Sequence, residues 1–393
     1  VKLSRRSFLL SASVCALPVF GAPTEFAILL TGVQADRLRG ATIPEAIRRN
    51  AADALKSGPW TVTSKRPDNV TAGPNDYYSE GPYWWPDPKN PTGPYIRKDG
   101  QRNPDRFQAN RRDLGDMCGA VLALGMGAFL LGDKACGEHA GRILSTWFID
   151  PKMRMNPNLE YGQAVRGINT GRGTGLIDTV SLIHAAQGIW LLDRAGMLSP
   201  AVGAAVRAWY ADFLKWMTTS KKGLDEKKSG NNHATWWTAQ VAAYASLTRN
   251  PAAQAMAWEH YRTVLVPGEI QPNGSCPREE ARTNSLSYSA MNLDAFSVIC
   301  RIAEVNSVIP ALWNYRTARG LGVATAFEYL TPYILHPENW KKEQISKFTA
   351  DGTFFMGLAG AGLGSKVLLD AYRALPRSGS AWPQFLDLLL KEG

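Results

Sequence analysis

Three long stretches of this chain cannot be helix, and most of what lies between them reads as little else. The first, "YYSEGPYWWPDPKNPTGPYIRKDGQRNP" (77–104), carries six prolines, each of which removes a backbone donor and crowds the preceding turn. The second, "DPKMRMNPNLEYGQAVRGINTGRGTG" (150–175), and the third, "VPGEIQPNGSCPREEART" (266–283), are broken by Gly, Pro and Asn. Elsewhere apolar residues recur at helical spacing with little β alternation. Helices are expected near 44–56, 107–131, 134–148, 176–194, 200–218, 232–248, 252–264, 285–305, 311–330, 338–348, 360–374 and 381–391. Segments such as "GLIDTVSLIHAAQGIWLLDRAG" are apolar on more than one face, which suits helices packed in two layers. No fixed repeat suggests a solenoid. The expected fold class is therefore all-α: helix pairs closed into an (α/α) toroid, or incomplete α/α barrel, forming a single domain over residues 23–393. Long irregular loops within a compact domain tend to be functional. The three stretches, with "SGNNH" (229–233), are expected to converge on one cleft.

The opening "VKLSRRSFLLSASVCALPVFGAP" pairs Arg5-Arg6 with a short apolar run and small residues. This has the form of a twin-arginine export signal over residues 1–22. It predicts a periplasmic or secreted protein with no stable membrane association once the signal is removed. The net charge is +10 and becomes +7 without Lys2, Arg5 and Arg6, a surplus that favours an anionic partner. No nucleic-acid-binding motif or dense basic run is present, so no nucleic-acid partner is expected. Cys118, Cys136, Cys276 and Cys300 have no zinc-ligand spacing. Either a Cys118–Cys136 pairing across a helical hairpin or four buried thiols fits their positions.

Two motifs carry chemistry. In "KKSGNNHATWW" (227–237), Ser229 or Asn231 can cap a helix whose first turn holds Asn232 and His233. The helix N-terminus favours an anion and opposes charge on the imidazole, keeping His233 neutral and basic. Trp237 and Gln240 share its helical face. In "PREEARTNSLSYSAMNLDAF" (277–296), a helix starting near Asn284 or Ser285 puts Tyr288 on its first turns. Arg282 can meet it only from the preceding loop, and would lower the phenol pKa from about 10. Tyr78, Tyr83, Trp84 and Trp85 offer flat faces for sugar rings, with Arg97 and Lys98 nearby for carboxylates. Arg166 and Arg172 are further cleft candidates. His139, His184, His260 and His336 have no partner spacing, and core or surface roles are expected for them.

"SEGPYWWPDPKNPTGPYIRKDGQRNP", "NNHATWW" and "PREEARTNSLSYSAMNL", in this order, resemble the alginate lyase family of polysaccharide lyases, particularly its mannuronan- and glucuronan-directed branch. The resemblance spans residues 60 to 330 and implies an α/α-toroid enzyme acting by β-elimination, with no metal and no cofactor. It implies that His233 and Tyr288 handle protons, that Arg282 assists, and that an Asn neutralises the substrate carboxylate. That Asn is placed at Asn158 in "MNPNLEYG", with Asn232 as the competing assignment. Asn156 and Asn169 lie in the same stretch as Asn158. Ala234 stands where many relatives carry Gly.

The proton on C5 of a uronate is weakly acidic, because the adjacent carboxylate is already negative. Its removal builds an enolate-like dianion that Asn, Arg and a helix N-terminus can stabilise. Either Tyr288 or His233 can take the proton, and Tyr288 can return one to the O4 leaving group. Two other readings remain at this stage. An inverting glycoside hydrolase would need two carboxyl groups about 6.5–9.5 Å apart, for which Glu160, Asp178, Glu279 and Glu280 are available. A non-catalytic protein binding acidic polysaccharide is the third.

Overall fold

The structure is a computed structural model that describes residues 26–68 and 70–391. The export signal read at residues 1–22 lies outside the described residues. The expected fold class holds: the chain is an (α/α) toroid with few strands. In chain order the helices are α1 Gly32–Arg39, α2 Glu45–Ala54, α3 Ala109–Leu131, α4 Lys134–Phe148, α5 Leu182–Arg194, α6 Pro200–Thr219, α7 Lys221–Lys227 and α8 Asn232–Leu247. There follow α9 Pro251–His260, α10 Val266–Glu269, α11 Pro277–Glu280, α12 Ser285–Val305, α13 Val323–Leu335, α14 Phe355–Leu363, α15 Lys366–Ala374 and α16 Ala381–Leu389.

Local chemistry sets the boundaries. Ser199 and Asn250 accept backbone hydrogen bonds at the starts of α6 and α9, each followed by Pro at the first helical position. Gly132, at φ +67°, closes α3 in the left-handed conformation. Within the core, α3 packs most extensively on α5 and α8 on α12. A Cβ on Gly188 of α5 would lie 2.5 Å from the Val121 carbonyl of α3, and one on Gly125 would lie 2.6 Å from the Gly188 carbonyl. The two glycines thus let these backbones touch. α3 has the length and hydropathy of a membrane span, yet 72% of that window is buried inside the fold.

The three irregular stretches do meet. Strand β1 (Tyr78–Glu80) of the first pairs in parallel with β4 (Tyr161–Ala164) of the second. Strands β2 (Trp84–Trp85) and β3 (Ile96–Arg97) form an antiparallel pair within the first stretch. Buried Asp178 ties these segments together, accepting from Ser79 Oγ at 2.6 Å, Tyr77 Oη at 3.1 Å and Gln163 Nε2 at 3.0 Å. The third stretch is anchored to the first through Asp99, which accepts from Arg282 and Thr283.

Several expected elements changed. Residues 338–348 are not helical beyond a 3₁₀ turn at Pro337–Asn339, because their backbone groups bond elsewhere: Glu343 O accepts from Ser285 N, and Ile345 N donates to Thr283 O. The helix expected at 311–330 begins only at Val323, after Gly320 and Gly322. That expected at 360–374 is split at Gly364, φ +64°, with Ser365 capping α15. All four described cysteines are buried free thiols, so Cys118 and Cys136 are not paired.

Candidate active site

α8 starts where the chain turns sharply. Gly230 sits at φ +68°, and a Cβ there would meet the Arg278 guanidinium at 2.3 Å. Asn231 is the cap, its Oδ1 accepting from His233 N at 3.2 Å. Every residue of α8 is buried except His233, whose side chain keeps 19% exposure. That single opening faces a cavity of about 110 Å³, which Asn232, Arg282, Tyr288 and Tyr83 also line.

Arg282 lies in the loop between α11 and α12, as its six-residue distance from Tyr288 requires. Its guanidinium carbon stands 4.0 Å from the Tyr288 ring centroid. A bidentate grip by Asp99 fixes it there, Nε to Oδ2 at 3.0 Å and Nη2 to Oδ1 at 2.9 Å. Burial raises the Asp99 carboxyl, but hydrogen bonds and charge from Arg282 and Arg97 outweigh it and leave the pKa at about 2. Tyr288 shares a hydroxyl–hydroxyl hydrogen bond with Tyr83.

Electrostatics reverse two expectations. Tyr288 was expected to have a lowered pKa. Burial and the neighbouring Tyr83 instead raise it, outweighing Arg282, whose charge is largely satisfied by Asp99. The resting group is a neutral phenol. His233 was expected to stay neutral at the helix N-terminus. Burial does pull its pKa down, but the charge and hydrogen bond of Glu226, with Glu279 adding to them, turn the net shift upward. Glu226 Oε1 lies 2.7 Å from His233 Nδ1.

Of the two assignments for the carboxylate-neutralising Asn, only Asn232 lines the cavity. Its backbone N and Nδ2 donate to Glu279, at 2.6 and 2.9 Å to Oε1. Asn158 does not reach the cavity, because its Oδ1 closes a turn onto Glu160 N at 3.1 Å. Asn156 is bonded to Asp76, and Asn169 lines a separate groove.

Most of the expected sugar-binding residues lie outside this cavity. Trp237 is fully buried, with Nε1 on Met217 O and its ring edge-on to His260. Gln240 is buried against Thr179 and Tyr244. The helical face they share with His233 points into the core. Tyr78 is buried, bonded to Glu80 and packed on Phe107, and lines the separate groove with Arg166. Trp85 Nε1 bonds Gln101 O with Lys98 Nζ over its ring, and Arg172 stands over Trp84 while bonding Gln163. These contacts fasten the first stretch. Arg97 is exposed and pairs with Asp99, so it meets the cavity only through that anchor. Among the tyrosines and tryptophans expected to bind sugar, Tyr83 alone lines the cavity.

The sequence reading did not single out Arg102, Arg106 and Arg111, which line the cavity, or Asp99 and Glu226, which hold its residues, and it took Glu279, which holds Asn232, only as an acid for the hydrolase reading. Arg111 and Glu226 sit in charge-rich runs, "NRRDLGD" and "KKGLDEKK", that resemble solvated faces. A second cavity of about 650 Å³, bounded by Asn284, Ser287 and Ser346, shares Tyr83, Arg102, Tyr288 and Met291 with the first. The acids a hydrolase would need are engaged: Asp178 with Arg111, Glu160 with Lys222, Glu279 with Asn232 and Glu280 with Lys342. His139, His184 and His260 have core partners, and His336 is exposed.

The profile of the family described as alginate lyase matches residues 61–340 of the chain. Among solved structures, an alginate lyase from Bacteroides ovatus superposes with a TM-score of 0.81 at 30% identity, covering 90% of this chain and 96% of that one. Alginate lyase A1-III from Sphingomonas species A1 superposes at a TM-score of 0.58 and 16% identity, covering 89% and 92%. A histidine-to-alanine variant of A1-III complexed with a tetrasaccharide gives 0.60 at 16% identity, with the same coverage. No curated protein sequence matches the chain.

Proposed function

The chain belongs to the alginate lyase family of polysaccharide lyases, and from that premise we propose that it cleaves 1,4-linked uronate polymers of the mannuronan or glucuronan type by β-elimination at the cavity His233 shares with Arg282 and Tyr288. The observation that carries the proposal is this convergence of an imidazole, a guanidinium and a phenol from two separate motifs.

In the proposed reaction the uronate carboxylate sits toward Arg282 and the start of α8. The fixed guanidinium and the helix N-terminus oppose the charge that grows as the C5 proton leaves. His233 Nδ1 is occupied by Glu226, which leaves Nε2 to receive that proton. Tyr288, held as a phenol, supplies a proton to O4 as the C4–O bond breaks and the C4–C5 double bond forms. The two cavities meet at Tyr288, so the polymer is proposed to cross it with sugars on either side. Arg102, which lines both and forms no ion pair among the described residues, is positioned for a neighbouring uronate. The export signal read in the sequence would deliver the enzyme outside the cytoplasm, where such polymers are met.

The test is to incubate purified protein with polymannuronate, polyguluronate and glucuronan while following ultraviolet absorbance and product mass. Unsaturated termini from polymannuronate or glucuronan are expected. Products that have gained water without absorbance would indicate a hydrolase, and binding without turnover a non-catalytic protein.

A further inference from the structure

α7 lies against the 3₁₀ turn Gly173–Thr179, just before α8 opens onto the cavity. The approach is close because residue 173 is Gly: a Cβ there would lie 2.7 Å from Lys222 O and 3.1 Å from Glu226 N. This contact seats Glu226 beneath His233. Glu226 is 1% exposed. One oxygen meets His233 Nδ1 at 2.7 Å, and the other has no hydrogen-bond partner. A carboxylate buried with one partner is costly unless that partner carries compensating charge. Residues whose only role is packing are rarely acids, since an apolar side chain would fill the same space at lower cost.

We propose that Glu226 is the positioning residue for His233: its carboxylate accepts the Nδ1 proton, turns Nε2 toward the cavity and sets the pH range over which the ring changes charge. The inference deepens the lyase reading and rests on it for the reaction, while the hydrogen bond stands apart from it. The groups facing the imidazole come from three directions. Glu226 lies on α7, Glu279 on α11, and the Arg282 guanidinium in the loop before α12. Arg172 adds a cation on the Glu226 side. Among the described residues Glu226 alone is hydrogen-bonded to the ring, so it governs the ring most directly. Because the carboxylate favours the charged ring, the proposed base becomes free only as pH rises above the ordinary histidine range near 6.5.

The experiment compares wild type with Glu226→Gln and Glu226→Ala. Gln keeps an oxygen to accept the Nδ1 proton but removes the charge, while Ala removes both. The His233 imidazole is followed by NMR over pH, its signal assigned by its loss in His233→Asn. In Glu226→Gln the midpoint should fall by at least about one pH unit, a tenfold change in proton affinity. The acid limb of kcat/KM on polymannuronate should move down with it. Glu226→Ala should lose on the order of 10²-fold in kcat, the low end of what a placed base contributes. An unchanged midpoint in folded Glu226→Gln overturns the proposal, as does an acid limb that stays put while the ring titration moves. If Gln and Ala do not fold, Glu226→Asp, which shortens the reach but keeps the charge, should retain a raised midpoint with lowered kcat; unchanged kcat would count against positioning. A midpoint that falls in a protein with no activity on any uronan supports the Glu226–His233 coupling and overturns the lyase reading instead.

Discussion

Asp99 is the residue on which the guanidinium depends. Arg282 reaches the Tyr288 ring from a loop, and its direction is set by two hydrogen bonds to one carboxylate. With its pKa at about 2, Asp99 stays ionised throughout any ordinary working range. Its depressed value means that its stabilising share is present above about pH 4 and lost only as pH falls through about 2. Asp99→Ala should therefore leave the fold intact and lower kcat/KM by on the order of 10²-fold, the effect of misplacing a group by an ångström. Steady-state kinetics beside a thermal melt checks this, and an unchanged kcat/KM would show that Arg282 needs no anchor. The motif residues His233, Arg282 and Tyr288 were legible because their neighbours in sequence form a specific pattern. Asp99 and Glu226 were not, because each lies among basic residues and only the folded chain reveals which charge it faces. Asn158 failed for a related reason: an Asn two residues before a turn amide satisfies itself locally.

At the scale of elements, the long apolar helices were readable, and the irregular stretches were readable from their prolines. Of the misjudged helices, two are cut at glycines, Gly320 and Gly322 before α13 and Gly364 after α14, and the third is lost to a distant partner. Residues 343–346 bond to the start of α12 across the fold, a partner that local periodicity does not register. α8 shows the opposite difficulty. Trp237 and Gln240 fall on the face of His233 by spacing, yet α8 is enclosed on all sides and only its first turn reaches the cavity. In the α3–α5 pair, backbone meets backbone at Gly125 and Gly188. Gly188→Ala should cost about 1–3 kcal/mol through overpacking that neither backbone can relieve. Urea unfolding measures this; a neutral or stabilising result, as helix propensity alone would give, would show that the pair can separate.

For the whole molecule, buried acids set the pH response. Burial raises Glu269 to about 8 against hydrogen bonds from Asn292 and Thr235, and raises Asp294 to about 7 against the Phe354 and Phe355 amides. The folded protein keeps protons that the unfolded chain releases above about pH 4. Stability contributed by these groups is thus full below that pH and declines as pH rises toward 7 and 8. His233, also raised, acts in the same direction, while His184 and His260, lowered by burial to about 3 and about 4, act against it below about pH 6.5 and offset part of the difference. Unfolding free energy should be greater at pH 5 than at pH 8, with a shallower difference in Glu269→Gln; the reverse order in wild type would contradict the burial argument. The central claim concerns the cavity, and the most direct measurement of it is the ultraviolet absorbance of wild type and Tyr288→Phe on polymannuronate and glucuronan, side by side. The account predicts a steady rise on at least one polymer for wild type, slowed 10²- to 10⁴-fold by loss of the single hydroxyl. A flat wild-type trace on both, or a Tyr288→Phe trace that matches a rising wild type, would contradict it.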